Sequence, residues 1–149
     1  MYEPIRTKSV HTMAAAPEVP HRSREQELDI RLASQLTALL TVTDELHALA
    51  TRTDGGAPQD TGLDGAALAA AAERIAEQVT RLSGGHHPLR AEPTGGGTPP
   101  RAEALRQRAH TLAGNALAVA TTRGDTAAME LATERMAAHA DPLRDLATA

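Results

Sequence analysis

Apolar residues recur at steps of three and four along most of this 149-residue chain, and that spacing predicts a protein built from α-helices. Alanine and leucine supply most of these positions. The first helix is predicted over residues 23–52, with Ser23 as its cap and Gln26 completing a capping box. Its apolar stripe consists of Leu28, Leu32, Leu36, Leu39, Val42, Leu46 and Leu49.

Three further stripes with the same spacing follow. A second helix is predicted over residues 64–83 with Thr61 or Asp64 as its cap, a third over 101–123, and a fourth over 125–140 capped by Asp125. Pro142 is predicted to interrupt the pattern and to open a short turn over residues 142–147. The predicted core positions are Leu68, Ala72, Ile75, Val79 and Leu82 in the second helix, Leu105, Ala109, Leu112, Ala116 and Val119 in the third, and Met129, Ala132, Met136 and Ala140 in the fourth.

The segments outside the helices are of three kinds. Gly124 and Asp125 leave room only for a tight turn, whereas residues 84–100 are rich in Gly and Pro and are predicted to form a flexible loop. Residues 1–22 contain three Pro and no apolar stripe, which predicts a disordered N-terminal arm. We therefore expect an all-α domain over residues 23–149: an antiparallel four-helix bundle in which the long loop joins two helical hairpins.

The composition limits the chemistry that this chain can perform. It has no Cys, Phe or Trp and a single Tyr, so it lacks thiolate ligands and most of the side chains that line ligand pockets. Its net charge is −4 and its 15 basic residues are scattered, which argues against nucleic-acid binding. The longest apolar run, residues 66–72, is too short to cross a membrane. We expect a cytoplasmic protein without catalysis of its own, whose composition resembles that of proteins from GC-rich bacteria such as actinomycetes.

Seven histidines raise the question of a metal site. Catalytic zinc helices carry two His with a Glu between them, and di-iron bundles carry Glu followed three residues later by His. Neither spacing occurs here, since Glu134 and His139 are five residues apart and Glu45 and His47 are two apart. We expect no metal and no cofactor.

Two polar positions stand out within the predicted helices. Gly114 and Asn115 are both poor helix formers in the middle of the third helix, and Gln35 falls where the first stripe would favour an apolar residue. One interpretation is that Gly114 permits a close helix crossing while Asn115 faces its edge. The other is that Asn115 and Gln35 are polar residues that set helix register or the choice of partner.

His110 belongs to the string Ala109-His110-Thr111-Leu112-Ala113-Gly114-Asn115-Ala116. This string resembles the core of histidine-phosphotransfer domains, whose helical motif reads His-x-Leu-Lys-Gly. The resemblance implies a phosphoryl-accepting role for His110, with Leu112 and Gly114 in the positions of the family's Leu and Gly. The family's Lys is replaced by Ala113, and one long helix follows where the family has two.

These observations lead to one functional expectation and two alternatives. We expect a small non-enzymatic helical module for protein interaction or regulation, whose partner is another protein or a second copy of the chain. The first alternative is an atypical phosphotransfer bundle that uses His110. The second is a carrier that holds a small ligand between alanine-lined helices.

Overall fold

The computed structural model describes residues 22–51, 63–94 and 99–148, and every regular element within these ranges is an α-helix. The helices are α1 (Arg24–Thr51), α2 (Gly65–Leu82), α3 (Pro99–Arg123) and α4 (Thr126–Thr148). No strand occurs in these residues, so the all-α class is confirmed. Almost all of the predicted N-terminal arm lies outside the described residues, as does the loop that follows α1.

The helix ends follow the local sequence. The Ser23 hydroxyl accepts a hydrogen bond from the Gln26 N–H at 3.1 Å, and the Ser23 N–H donates to the Gln26 side chain at 2.8 Å, which is the predicted capping box. Asp64 caps α2 by accepting from the Ala67 N–H at 3.1 Å, and Asp125 caps α4 in the same way from Ala128 at 3.1 Å. The caps satisfy backbone donors that a helix start leaves unpaired.

The helical backbone of α4 passes through Pro142 and ends at Thr148, whereas the sequence predicted an interruption there. A proline removes one backbone hydrogen bond and crowds the preceding turn. Residues beyond it can still bond to the turn before, so the helix continues at the cost of that one bond.

The core is centred on α1. This helix packs along both α2 and α3, α3 packs along α4, and α2 touches α4 only slightly. All seven predicted stripe residues of α1 are buried. The other helices contribute mainly small side chains to the core: Leu68, Ala71, Ala72, Ile75 and Val79 from α2, Ala102, Ala109, Leu112, Ala113, Ala116 and Ala120 from α3, and Ala128, Leu131 and Ala132 from α4.

The buried face of α4 is rotated from the predicted one. Met129 and Met136 are half-buried and pack at its edge, while the buried face includes Arg135 and His139. Alanine occurs on every side of this helix, so apolar spacing alone defined its inner face poorly. Of the predicted stripe, Ala132 is buried as expected, whereas Met129, Met136 and Ala140 are half-buried, so the buried face is shifted by about one position.

Two ion pairs connect the ends of α1 and α3. Asp29, near the start of α1, accepts from Arg123 at the end of α3 at 2.9 Å. Glu45, near the end of α1, accepts from Arg101 at the start of α3, also at 2.9 Å. Within the described residues, no helix combines the length and apolar character that a bilayer crossing requires.

Candidate functional site

The segment that connects α2 to α3 crosses the outside of the α1–α2 pair. It leaves α2 through Gly84 and Gly85, whose φ angles of 71° and 101° lie in the left-handed region that glycine adopts readily. Residues 86–94, here called the crossing segment, have no regular secondary structure. Their position is set instead by side-chain contacts with the two helices beneath.

Arg90 makes the central contact. Its guanidinium donates to Asp44 of α1 at 2.7 and 3.1 Å and to Glu73 of α2 at 2.9 Å, so one side chain joins both helices. The hydrogen bonds to Asp44 and Glu73 raise the pKa of Arg90 above its ordinary value. A guanidinium is suited to this role because its fork of donors matches the two oxygens of a carboxylate.

Further contacts flank Arg90. A His87 ring nitrogen lies 3.3 Å from the Thr80 hydroxyl of α2. The N–H and hydroxyl of Thr94 donate to Glu45 of α1 at 2.8 and 2.9 Å. Burial raises the pKa of Glu45, but the hydrogen bonds from Thr94 and Arg101 outweigh it and leave that pKa below its ordinary value. The predicted flexibility of this loop stays a prediction, and these contacts oppose it over residues 87–94.

Leu89 projects into solvent between these contacts. Its exposed fraction is 93%, and Ile30 at 48% is the other exposed large apolar residue in the described part of the chain. Exposed leucines are common singly on protein surfaces. Leu89 differs because the next residue, Arg90, is held by two ion pairs, which restrain the backbone beside it.

A groove lies between α1 and α2. It has a volume of about 520 Å³, is open to solvent, and carries no charged side chain on its walls. We call it the outer groove. Its walls are formed by Ile30, Ala33, Ser34 and Thr37 of α1 and by Val79, Leu82 and Ser83 of α2.

Helical spacing relates the outer groove to the crossing segment. Ile30, Thr37 and Asp44 follow one another at seven-residue steps, which keeps them on one face of α1. On α2, Thr80 and Glu73 are also seven residues apart, whereas Val79 of the groove wall is turned about 100° from Thr80. The crossing segment begins beside the outer groove, where a His86 ring nitrogen lies 2.8 Å from the carbonyl oxygen of Ser83 in the groove wall, and it reaches Asp44 of α1 further along.

The contact between α2 and α4 has a different character. Arg74 donates two hydrogen bonds of 2.8 Å to Glu134, and Arg81 donates to both oxygens of Asp125 at 3.0 and 2.8 Å. The bonds from Arg74 lower the pKa of Glu134. A second open groove of about 340 Å³ lies beside these pairs, and charged residues make up most of its walls. Ion pairs, rather than apolar packing, join these two helices.

A buried polar cluster lies where α3 meets α4. Arg135 and His139 are 6% and 4% exposed, and neither the Arg135 Nε nor the His139 Nε2 has a hydrogen-bond partner. The Arg135 Nη1 lies 3.9 Å from a carboxylate oxygen of Glu134. Burial lowers the pKa of Arg135. Burial, with the nearby charges of Arg135, His110 and Arg106, lowers the pKa of His139 to about 4.

The structure locates the three residues of the phosphotransfer resemblance on α3. His110 is half-buried and Leu112 is 8% exposed. A Cβ placed on Gly114 would stand 3.6 Å from the Met136 methyl of α4, so this glycine faces the neighbouring helix. Met136 therefore occupies space beside Gly114, one turn after His110. The role of His110 stays a prediction.

The two candidate polar residues lie apart from the core. Asn115 is exposed on α3 and Gln35 is half-buried on α1. A role in partner choice would therefore be exercised at the surface, and it stays a prediction. The distance of 3.6 Å at Gly114 is ordinary van der Waals contact, so the helix crossing does not require a glycine there.

The histidines of the crossing segment contact protein groups. A His86 ring nitrogen lies 2.8 Å from the Ser83 carbonyl oxygen, and His87 contacts Thr80. Among the described residues, no group of three or more His, Cys, Asp or Glu is arranged to hold a metal ion.

Sequence reasoning missed the residues that define this site. Leu89 lies in a segment without periodicity, and Arg90 finds its partners 46 and 17 residues away, which no local pattern reveals. One sequence feature could have drawn attention to these residues: Leu89-Arg90 is the only place in the Gly/Pro-rich stretch where an apolar residue is followed by a basic one. Comparison of the chain with protein-family models, curated proteins and solved structures finds no match.

Proposed function

We propose that this chain is a small non-enzymatic interaction module that presents Leu89 to an apolar pocket on a partner protein. One observation carries the proposal: Leu89 is 93% exposed on a segment whose next residue, Arg90, is bound to both α1 and α2. Binding costs less when the contacting loop is already ordered. A leucine held outward in this way suits recognition better than one on a loop that must be ordered on binding.

The architecture behind this module is proposed to be an antiparallel four-helix bundle. The pairs Asp29–Arg123 and Glu45–Arg101 support it, since they join the start of α1 to the end of α3 and the end of α1 to the start of α3. The ion pairs of α2 with α4 follow the same reversed order. In this arrangement the crossing segment returns the chain along the length of the bundle. We propose that the module acts in the cytoplasm, and that its role is regulatory.

The two alternatives rest on weaker grounds. A phosphotransfer bundle would use His110, which is half-buried and lies one turn after Arg106. A small-ligand carrier would need an enclosed apolar cavity, whereas both grooves described above are open to solvent. Neither feature favours the alternative over the interaction module.

Site-specific photocross-linking in the native cell tests the proposed function. A photoreactive amino acid is placed at position 89 and, as a control, at Thr111, an exposed position on α3. We expect position 89 to give a discrete protein adduct and position 111 to give none. If position 89 gives no adduct above the level of the control, the interaction module is wrong.

A further inference from the structure

We propose that the buried polar cluster where α3 meets α4 binds a small carboxylate through Arg135 and His139. The two carboxylate oxygens accept hydrogen bonds from the Arg135 Nε–H and from the His139 Nε2–H. The site lies apart from Leu89, which belongs to the segment that crosses α1 and α2. Carboxylate binding therefore goes beyond the proposed function and does not depend on it.

Both of these nitrogen atoms are buried and unpartnered. Arg135 is 6% exposed and His139 is 4% exposed, and neither the Arg135 Nε nor the His139 Nε2 has a hydrogen-bond partner. The two residues are four apart on α4, which places them on one face of the helix. Buried polar groups in folded proteins are almost always paired, so two unpaired nitrogens on one face indicate an acceptor that binds between them.

Basic side chains of α3 line the same place. The Met136 methyl of α4 lies 3.6 Å from the point where a Cβ on Gly114 of α3 would stand. His110 precedes Gly114 by four residues, and His139 follows Met136 by three. In the proposed antiparallel arrangement both steps lead towards the same end of the helix pair, so His110 lies across from His139. His110 and Arg106, one turn before it, are half-buried, and they form the edge through which a ligand reaches the cluster.

The charges around the cluster leave one positive charge without a counter-ion. Glu134 lies 3.9 Å from Arg135, but both of its oxygens accept hydrogen bonds of 2.8 Å from Arg74. One carboxylate therefore serves two guanidinium groups. On the α3 side, Arg106 and Glu103 form an ion pair of 3.0 Å and balance each other. A ligand with a single negative charge would restore neutrality.

A carboxylate fits these requirements in charge and in shape. It carries one negative charge, and its two oxygens match the two unpartnered donors. A water molecule can accept from either nitrogen but brings no charge. A phosphate carries more charge and more oxygens than two donors can satisfy. Because both donors are at least nine-tenths buried, the ligand is a small free acid rather than an acidic side chain of a folded partner.

Glu103 is the acidic residue of α3 that could repel such a ligand. It lies seven residues before His110, which is about 10 Å along the helix. Its Oε2 is buried without a hydrogen-bond partner, while its Oε1 accepts from Arg106. Arg106 follows Glu103 on the side towards His110, so a positive charge separates this carboxylate from the proposed site.

Nuclear magnetic resonance of the His139 side chain tests binding directly. Burial and the neighbouring positive charges hold the pKa of His139 at about 4, so the imidazole is neutral at pH 6. A bound carboxylate favours the imidazolium and raises that pKa. Sodium acetate added at pH 6 should therefore shift the His139 signal saturably towards the protonated form. The spectrum of His139→Leu identifies the signal, and sodium chloride at equal ionic strength is the control.

A second compound distinguishes a free acid from a protein side chain. A capped Gly-Asp-Gly tripeptide carries the same carboxylate on a bulkier frame, and it should leave the His139 signal unshifted at the same concentration. A shift with both compounds, or with the tripeptide alone, would overturn the assignment of the site to small acids.

Arg135→Met tests which side chain holds the ligand. The change removes a charge-assisted hydrogen bond and should weaken the affinity for acetate at least about tenfold. Arg108→Met, on the exposed face of α3, is the matched control and should leave the affinity unchanged. Equal thermal melts of the three proteins without acetate would show that both variants are folded.

Three results would overturn carboxylate binding at this site. The first is a His139 signal that shows no saturable shift in the natural chain up to about 100 mM acetate. The second is an equal shift with chloride, which would indicate screening by any anion. The third is an affinity for acetate that Arg135→Met leaves unchanged.

Discussion

The Met136 methyl group lies 3.6 Å from the point where a Cβ on Gly114 would stand, so α4 covers this glycine without pressing on it. No other side chain approaches that point within 4 Å. The glycine is also helical with an ordinary φ, since the positive-φ glycines of the described residues lie elsewhere. Gly114 therefore lowers the stability of α3, and the packing of α3 against α4 does not require a glycine there.

Gly114→Ala should stabilise the protein by about 1 kcal/mol, because alanine favours the helix and its methyl group meets Met136 at ordinary contact distance. Thermal unfolding followed by circular dichroism measures the change. Gly124→Ala is the contrasting variant: its φ of 76° disfavours alanine, and it should lower the melting temperature. If Gly114→Ala lowers the melting temperature, the Met136 methyl lies closer to the added Cβ than 3.6 Å.

Arg90→Gln should release the crossing segment while leaving the helices folded. The change removes the ion pairs with Asp44 and Glu73, and exposed pairs of this kind contribute at most about 1 kcal/mol each. The expected result is faster cleavage before Leu89 by thermolysin and faster amide exchange over residues 87–94, with a nearly unchanged melting temperature. Glu92→Gln is the control. Equal cleavage of Arg90→Gln and the natural chain would contradict the anchoring role.

Stability should fall as the pH is lowered from 7 to 5, because His139 resists protonation in the folded state. Its pKa is about 4 when buried, against about 6.5 in the unfolded chain, so the unfolded state takes up the proton first. Protonation of His139 alone should lower the free energy of unfolding by about 2 kcal/mol between pH 7 and pH 5. This loss should level off below pH 4.

Urea unfolding of His139→Leu at pH 7 and pH 5 measures this contribution. The substitution removes the titrating group, so its free energy of unfolding should depend less steeply on pH. Ala138→Leu, at an exposed position of α4, controls for an added leucine. Glu45 and Glu134 lose their ion pairs only at lower pH, because their pKa values lie below the ordinary value of 4.5. Identical pH slopes for all three proteins would show that His139 is accessible to water.

Arg135→Met should leave stability unchanged or raise it. The Arg135 guanidinium is buried without a partner at Nε, and an apolar chain of similar length removes the cost of burying that charge. Arg108→Met, on the exposed face of α3, serves as the control and should change stability by less than about 0.5 kcal/mol. A loss of several degrees in the melting temperature of Arg135→Met alone would indicate that the attraction between Arg135 and Glu134 outweighs the cost of burying the guanidinium.

Incubation with a phosphorylated response regulator tests the role of His110. We expect no acid-labile phosphate on this chain under conditions that label a known phosphotransfer domain, because Ala113 replaces the family's Lys and Met136 covers Gly114. Label that forms and then disappears in His110→Gln would establish the phosphotransfer alternative.

Features that depend on neighbouring residues were predictable from the sequence, and features that depend on distant ones were not. The Ser23–Gln26 box and the α1 stripe lie within one or two turns, so their spacing specifies them. The rotation of α4 was missed because alanine is too evenly distributed to mark one face. Arg90 was missed because its partner Asp44 is 46 residues away in the sequence. Only the folded chain brings the two residues together.

Six alanines of α3 and α4 are fully buried: Ala109, Ala113, Ala116, Ala120, Ala128 and Ala132. Only glycine has a smaller side chain than alanine, so nearly every mutation at these positions enlarges the residue. In α1, where Leu32, Leu36 and Leu39 fill the core, most mutations instead leave a void. An extra methyl or methylene group in a close-packed core costs about 1–3 kcal/mol. The helices therefore face opposite evolutionary constraints: α1 must retain the volume of its side chains, whereas α3 and α4 cannot accept larger ones.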